Sequence, residues 1–400
     1  MVERECKRAR VGFALALAML AAAMLAGGAR AGSTRRFLIS QAERDPARMA
    51  ERVESAEMIT PFRGAGPYDI SREFYEWEYD NHTSRGYLFT PVARNDKGVV
   101  TRIKDKKFPA LVFGHGLCAK ADFYEHMTTV LSSWGYVVLV TNEFSECDYT
   151  NFLPGGEQVN TTEYVGELTR NAKYLASGAV EEANTSAIAM VGHSMGGGGS
   201  ISAAAMLEES DPGLIKAVIA VAPWNGVQPM PSAQIPKLGK TPTLLICSAG
   251  DSLVPCSGPV TTEIVVGSFR MPFASVIPQI HGQHHGVDWN GGVLAIYENA
   301  SEVTPAMLAV VRDANHLTIV DSDGEAGGTK LAEEYFSRFL EFPKVDLRPG
   351  GILPTIEYSV AWLEWVFRKD PQAFALLWGD DGIVLDDRFL QPVSRAATDS

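Results

Sequence analysis

Short, almost wholly apolar runs alternate with longer segments of helical spacing through the middle of the chain. Residues 136–141 and 215–221 are two such runs. Runs of this kind are typical of strands buried on both faces of a parallel sheet. Similar patterns predict strands at 109–113, 186–191, 243–247 and 307–311, and helices at 121–134, 163–176, 195–208, 330–340 and 356–367. The alternation predicts an α/β fold: one domain with a mostly parallel central sheet and helices on both faces.

The residues before this alternation follow a different pattern. Residues 72–79 and 86–90 alternate between apolar and polar side chains and are rich in aromatic residues, which predicts a hairpin of edge strands. Residues 32–60 are charged and are expected to form a loose N-terminal arm or a short surface helix. The globular domain is predicted to span residues 61–378, with a C-terminal tail at 379–400.

The first 31 residues have the features of an export signal. Four basic residues precede an uncharged apolar run at 11–26, and Ala29 and Ala31 flank Arg30 in the small-x-small pattern of a signal peptidase site. We predict a signal peptide at 1–31 and a secreted, extracellular product. The alternative is an uncleaved anchor helix, for which the run is short. No later stretch is apolar enough for a bilayer, so no stable membrane span is expected after cleavage.

The balance of charged residues limits the kinds of partner that the protein is expected to bind. The chain has 35 Lys and Arg against 48 Asp and Glu, a formal net charge of −13. Because phosphate binding requires basic patches, a nucleic-acid partner is not expected. An apolar content of 46% excludes a disordered chain.

Export would leave an even number of cysteines in an oxidising compartment: Cys118, Cys147, Cys247 and Cys256. Four cysteines allow three pairings. Proximity in the predicted fold favours disulfide bonds Cys118–Cys147 and Cys247–Cys256. Four acceptor sequons also predict a glycoprotein if the host glycosylates: Asn81, Asn160, Asn184 and Asn299.

The first chemical motif is Gly-His-Ser-Met-Gly at 192–196. The motif alone is weak, but it directly follows the predicted strand and opens an Ala-rich helix. That context is the nucleophile elbow, in which glycines permit a strained turn that lifts the serine hydroxyl above the sheet. We therefore predict that Ser194 is a nucleophile. The alternative is a Gly-rich turn with a surface serine.

A serine nucleophile needs a base and an acid that orients it. Asp251 follows the predicted strand 243–247, and His316 follows the strand 307–311. The chain order Ser, Asp, His is the order expected on this type of fold. The alternatives are that Asp251 is a helix N-cap and that His316 is an ordinary loop histidine.

A second histidine cluster competes with His316. His281, His284 and His285 lie with Asp288 in a segment rich in Gly and Asn that has no strand before it. The cluster could hold a metal or supply the base. We interpret it as a loop inside an insertion, and expect neither a metal nor another cofactor.

The remaining site residues are predicted from strand ends. Leu117, in Gly-His-Gly-Leu at 114–117, ends the third strand, where such folds supply an oxyanion-hole amide, and the Met195 amide supplies the other. His115 and His193 are expected to pack beside the site rather than act as bases. Trp224 is expected to flank Ser194 with Leu117 and bind substrate, with Met195 on the floor. The alternative is that Trp224 is a core residue.

With these residues in place, the chain resembles the α/β-hydrolases of the PET hydrolase/cutinase-like group, which also includes chlorophyllase-like esterases. The resemblance covers roughly residues 61–378. It lies in Gly-His-Ser-Met-Gly-Gly-Gly-Gly at 192–199, Ala-Pro-Trp at 222–224, Thr-Pro-Thr-Leu-Leu at 241–245, Asp-Ser-Leu-Val-Pro at 251–255, Gly-Pro-Tyr at 66–68 and Tyr-Ser-Val-Ala-Trp-Leu at 358–363. It implies the α/β-hydrolase fold, a cleaved ester and no cofactor.

The chain also departs from cutinases. Leu117 stands where cutinases usually carry an aromatic residue, and Asp-Phe-Tyr at 122–124 looks more like chlorophyllases and platelet-activating-factor acetylhydrolases. Insertions are predicted near 258–300 and 321–354, and the C-terminal disulfide of cutinases has no cysteines here. These differences concern the substrate rather than the triad.

The sequence thus predicts a secreted serine hydrolase that cleaves carboxylic esters through an acyl-enzyme. The substrate is expected to be a lipid, a cutin-like polyester or a small ester. A lipid esterase, acetylhydrolase- or chlorophyllase-like, is one alternative. The other is an inactive recognition protein on a hydrolase scaffold.

Overall fold

The computed structural model describes residues 61–390, except for 96, 98, 146–158, 259–260, 267–268, 273–291, 313, 321–339, 342–351 and 379–388. The predicted signal peptide and N-terminal arm lie outside the described residues, as does most of the predicted C-terminal tail. The domain and insertion boundaries stay predictions.

The strands lie close to the predicted positions and are mostly longer at their ends. Among the described residues they are β1 Asp69–Tyr79, β2 His82–Arg94, β3 Val100–Arg102, β4 Phe108–Gly114, β5 Val137–Thr141, β6 Ala183–His193, β7 Ile215–Val221, β8 Thr243–Ser248, β9 Glu263–Val266, β10 Phe269–Pro272, β11 Ala306–Val311, β12 Leu340–Glu341 and β13 Phe389–Leu390.

The central sheet has the order β1-β2-β5-β4-β6-β7-β8-β11-β13, with β3 also paired to β2. Strands β5, β4, β6, β7, β8 and β11 are mutually parallel. The predicted hairpin is present as β1 and β2, which pair antiparallel at the edge of the sheet. The predicted α/β class with a mostly parallel sheet is therefore confirmed.

The helices account for the 3.6-residue periodicity. They are α1 Glu125–Ser133, α2 Thr161–Ala176, α3 Met195–Ser210, α4 Pro231–Gln234, α5 Gly292–Ser301, α6 Ile352–Leu363 and α7 Pro371–Trp378, with 3₁₀ turns at Ala121–Tyr124, Ile235–Leu238 and Thr318–Val320 and a π-helical turn at Glu364–Arg368. Helices α2 and α3 pack together over β4, β6 and β7, while α1 and α6 pack together and reach β2, β5, β7 and β8. The two pairs cover the two faces of the sheet, which explains the apolar strands.

Some of the predicted elements need correction. The helix predicted at 121–134 divides into a 3₁₀ turn and α1, and the helix predicted at 356–367 is α6 followed by the π-helical turn. Of the helix predicted at 330–340, residues 330–339 lie outside the described part. Leu340 lies in β12 instead, because it pairs with Ile264 of β9.

Part of the predicted insertion at 258–300 is regular structure, which corrects the expectation that no strand precedes the histidine cluster. Strands β9 and β10 form an antiparallel hairpin there. Helix α5 follows, and it buries Val293, Ile296, Tyr297 and Ala300. This spacing is the helical pattern i, i+3, i+4, i+7, so the sequence contained a signal for α5 that the Gly- and Asn-rich residues before it obscured.

No helix in the described ranges combines the length and the hydropathy that a membrane crossing needs.

Candidate active site

Ser194 occupies a tight turn between a strand and a helix. Strand β6 ends at His193, helix α3 begins at Met195, and Ser194 between them has φ 55° and ψ −117°. A non-glycine residue at positive φ is strained, and such strain persists only where the surroundings hold it. The Ser194 N–H donates to the Val221 carbonyl at 2.9 Å, and its carbonyl accepts from the Trp224 N–H at 2.9 Å. Backbone bonds to the end of β7 thus hold the turn.

Close packing around the turn requires glycine. A Cβ on Gly196 would lie 2.1 Å from the carbonyl oxygen of Gly114, at the end of the neighbouring β4. A Cβ on Gly192 would lie 2.2 Å from the carbonyl oxygen of Gly196. The first turn of α3 therefore lies directly against two strand ends, which the Gly-x-Ser-x-Gly spacing makes possible.

The structure brings the three predicted triad residues together. His316 Nε2 lies 3.0 Å from Ser194 Oγ, and His316 Nδ1 lies 2.7 Å from Asp251 Oδ2. All three residues are buried, with relative exposures of 6% for Ser194, 5% for Asp251 and 4% for His316. An ionised Asp251 only accepts, so Nδ1 carries the proton and Nε2 is free to accept from the serine hydroxyl.

The Asp251 carboxylate is fixed from two sides. Its Oδ1 accepts from the Leu253 N–H at 2.9 Å and the Val254 N–H at 2.7 Å, while Oδ2 faces His316. Two backbone N–H groups that donate to one carboxylate oxygen are also typical of a helix N-cap, but residues 251–258 form bends and no helix. These hydrogen bonds fix the position of the carboxylate at the end of β8.

A disulfide bond closes the loop that carries Asp251. Cys247 in β8 is bonded to Cys256, with Cα atoms 5.4 Å apart. This predicted pair is confirmed. Cys118 is disulfide-bonded too, and Cys147, its predicted partner, lies outside the described residues.

Backbone bonds tie the Asp251 loop to the loop of His316. The Ala249 N–H donates to the Val311 carbonyl at 2.7 Å, and the Gly250 N–H donates to the Ala314 carbonyl at 3.0 Å. Asn315 braces the turn after β11, because its Oδ1 accepts from the Leu317 N–H at 2.9 Å. The two loops therefore form one hydrogen-bonded unit.

The two predicted oxyanion amides belong to the first residue of α3 and to the loop after β4. Met195 is the first residue of α3, so its N–H has no intrahelical acceptor. Leu117 is half-buried in the loop after β4. Gly116 beside it packs against the nucleophile, since a Cβ on Gly116 would lie 3.3 Å from Ser194 Cβ. The proximity suits the predicted role, which stays a prediction.

Two further histidines, His115 and His193, are buried, and in the described part of the chain neither bonds to Ser194 Oγ. The His193 ring centroid lies 4.7 Å from that of His316. Burial, and then the neighbouring His316, hold the pKa of His193 well below its ordinary value of 6.5. Burial also lowers the pKa of His115. Both pKa shifts favour the neutral ring, in keeping with the packing role expected for the two histidines.

Trp224 follows the carboxyl end of β7, and Ser194 follows the carboxyl end of the neighbouring parallel strand β6. Its N–H bonds to the Ser194 carbonyl, and the residue is only 4% exposed. Contact of the indole with a substrate stays a prediction. His281, His284, His285 and Asp288 lie outside the described residues. Within the described ranges, no three His, Cys, Asp or Glu side chains converge as metal ligands do.

Sequence reasoning missed Tyr124, a fully buried tyrosine at the end of the 3₁₀ turn before α1. Its hydroxyl contacts the loop of Leu117 and the ring of His193. From the sequence, Tyr124 stood out only as part of Asp-Phe-Tyr at 122–124. No local pattern marks its hydroxyl, because Gly116 lies in a loop 8 residues before Tyr124 and His193 lies 69 residues after it.

The sheet order and the serine at its strand–helix turn are those of the α/β-hydrolase fold. Residues 101–262 match the family model described as PET hydrolase-like. The resemblance predicted from sequence is confirmed over this stretch, which covers less than half of the chain. The match includes Leu117, Ser194 and Asp251, while His316 lies beyond it. No curated protein gives a significant match to the chain.

The two buried histidines predict how stability depends on pH. Unfolded, each ring takes up a proton near pH 6.5, whereas the folded rings resist protonation. Below that pH the unfolded state binds more protons than the folded state. The contribution of the two histidines to the free energy of unfolding is therefore complete above about pH 6.5, and it falls as the pH decreases toward the folded pKa values. Each histidine contributes a slope of up to about 1.4 kcal/mol per pH unit. His193→Gln should remove one such contribution. Urea unfolding between pH 5 and 7.5 measures the slope, and an unchanged slope in the variant would contradict the assignment.

Proposed function

We propose that the protein is a secreted serine hydrolase that cleaves carboxylic esters, with cutinase- or polyesterase-like specificity. The observation that carries the proposal is the buried chain from Asp251 through His316 to Ser194, with contacts of 2.7 and 3.0 Å. The PET hydrolase-like match over residues 101–262 supports a hydrolase independently of that geometry.

The mechanism starts with the serine hydroxyl. His316 Nε2 takes the proton of Ser194 Oγ as the oxygen attacks the ester carbonyl carbon. The imidazolium that forms is stabilised by Asp251, whose carboxylate already accepts two backbone N–H groups. Because the residues are buried, water screens this attraction little.

The tetrahedral intermediate needs donors for its oxyanion. The Leu117 and Met195 N–H groups supply them, and the N-terminus of α3 adds a favourable dipole. A single donor of this kind contributes about 3 kcal/mol to the transition state. His316 then protonates the leaving alcohol, and a water molecule, activated by the same ring, hydrolyses the acyl-enzyme. The residues require no metal or cofactor for these steps.

Replacement of the triad residues tests the chemistry. Ser194→Ala should lower kcat for p-nitrophenyl esters by about 10⁶, His316→Ala by a similar factor and Asp251→Asn by about 10⁴, because the triad acts as a unit. Ser200→Ala is the matched control: Ser200 lies in α3, the helix that follows Ser194, its buried hydroxyl has no partner among the described residues, and activity should persist. Initial-rate kinetics and circular dichroism measure activity and fold.

Two results would contradict this assignment. Near wild-type turnover in Ser194→Ala would mean that another group is the nucleophile. Larger losses in His284→Ala or His285→Ala than in His316→Ala would move the base into the 258–300 segment. A wild-type protein that fails to react with a fluorophosphonate would instead indicate a recognition protein on a hydrolase scaffold.

Trp224 tests the breadth of the substrate. If its indole lines an apolar cleft with Leu117, Trp224→Ala should lower kcat/KM for bulky or polymeric esters at least about tenfold more than for p-nitrophenyl acetate, which has little contact area to lose. Trp77→Ala is the control, since Trp77 is equally buried but bonds to Asn171 on α2. A chain-length series of p-nitrophenyl esters also distinguishes the lipid esterase alternative. Equal losses on all esters, with a lowered Tm, would make Trp224 a core residue.

Secretion is the second part of the proposal. The Cys247–Cys256 bond and the bonded Cys118 support folding in an oxidising compartment. Expression of the full chain in an exporting host should yield a protein that begins at residue 32. Intact-mass measurement of the exported protein checks this, and a retained residue 1–31 segment would indicate an anchor.

A further inference from the structure

We propose that Tyr124 is a positioning residue that holds the loop of Leu117 so that the Leu117 N–H points toward the substrate oxygen. The inference rests on the proposed function and adds a residue to it. Tyr124 is 1% exposed at the end of the 3₁₀ turn Ala121–Tyr124. Its hydroxyl oxygen lies 2.8 Å from the Gly116 nitrogen and 2.9 Å from His193 Nδ1.

The direction of both hydrogen bonds follows from the available protons. The Gly116 N–H can only donate, so the Tyr124 oxygen accepts from it. The single phenol proton is then donated to His193 Nδ1. His193 must be neutral to accept, and the lowered pKa of its buried ring agrees. Two hydrogen bonds with the same direction therefore lead from Gly116 through Tyr124 to His193, the residue before Ser194.

The hydrogen bonds of Tyr124 help to fix the first of two consecutive peptide groups in the loop of Leu117. The peptide between His115 and Gly116 is bonded at both ends: its N–H reaches Tyr124, and its carbonyl accepts from the Tyr164 hydroxyl at 2.9 Å. A peptide held at both ends cannot rotate without breaking a buried hydrogen bond.

The second peptide carries the proposed oxyanion donor. The Gly116 carbonyl accepts from the Ala119 N–H at 3.1 Å and lies 2.8 Å from His115 Nδ1. In a trans peptide the following N–H points the opposite way, so these contacts set the direction of the Leu117 N–H. Among the described residues that N–H has no hydrogen-bond partner. The loop thus presents one oriented donor beside Ser194.

The hydroxyl of Tyr124 links this loop to the serine turn. A Cβ on Gly116 would lie 3.1 Å from the Tyr124 oxygen and 3.3 Å from Ser194 Cβ, so the loop is wedged between the two residues. Without the hydroxyl, the Gly116 N–H would be a buried, unpaired donor. The loop would then shift to recover a partner, and the Leu117 N–H would turn with it.

The test is Tyr124→Phe, with Tyr136→Phe as the matched control. Tyr136 is also fully buried, and its hydroxyl donates to Glu364 Oε1 at 2.7 Å beneath the π-helical turn. Both variants lose one buried hydroxyl and should lose similar thermal stability. Only Tyr124→Phe should alter the oxyanion donor, and the expected result is a fall in kcat of about tenfold with little change in KM, a fraction of the loss for a whole donor.

A thionoester separates positioning from general loss of stability. Its C=S sulfur is a poorer hydrogen-bond acceptor than the C=O oxygen, so the wild type should hydrolyse a p-nitrophenyl ester faster than the matching thionoester. Tyr124→Phe should lower this ratio of rates several-fold, because a misaligned donor favours oxygen less. Tyr136→Phe should keep the wild-type ratio.

The outcomes distinguish the two proposals. A wild-type ratio in folded Tyr124→Phe would overturn the positioning role while leaving the triad intact. A wild-type protein that neither hydrolyses esters nor reacts with a fluorophosphonate would overturn the proposed function and this inference together. If Tyr124→Phe does not fold, 3-fluorotyrosine at position 124 keeps the hydroxyl but weakens its oxygen as an acceptor. The ratio should then fall by a smaller factor, and an unchanged ratio would overturn the proposal.

Discussion

The positive-φ turn at Ser194 is the constraint on which the rest of the site depends. A serine does not adopt φ 55° by preference, so neighbouring elements must hold it there. Its N–H and carbonyl both bond to residues that follow or end β7, and the glycines around it admit β4 within van der Waals distance. Three adjacent parallel strands therefore determine the position of one hydroxyl.

Positive φ values recur after the carboxyl ends of the neighbouring strands. Non-glycine residues with positive φ follow four neighbouring strands: Phe144 after β5, Cys118 after β4, Ser194 after β6 and Ala222 after β7. Backbone strain of this kind clusters at functional sites, where a rigid sheet holds it.

The positions of Asp251 and His316 depend on a second, covalent constraint. The Cys247–Cys256 bond closes the loop around Asp251, and backbone bonds join that loop to the turn before His316. A rigid acid loop keeps the carboxylate against the imidazole without help from solvent-exposed contacts. This arrangement also explains how Asp251 and His316 meet although 65 residues separate them.

Much of the molecule followed from local patterns. Apolar runs located the parallel strands because a strand buried on both faces excludes polar side chains, and Ser194, Asp251 and His316 were found because each follows such a strand. The Cys247–Cys256 pair was predicted from the proximity of the two residues in that fold. Helix α5 and the β9–β10 hairpin were missed, since their patterns are short and lie among Gly- and Asn-rich residues.

Local pattern could not decide which groups meet above the sheet. The contacts of Tyr124 with Gly116 and His193 depend on how the 3₁₀ turn before α1 packs against the ends of β4 and β6, and no periodicity encodes that packing. The neutral state of His193 likewise arises from burial beside His316. The sequence by itself determined the fold class and the order of the three triad residues, because both follow from which residues are apolar and where strands end. Only the tertiary structure decided the hydrogen-bond directions and distances, because these depend on partners that are remote along the chain and close in space.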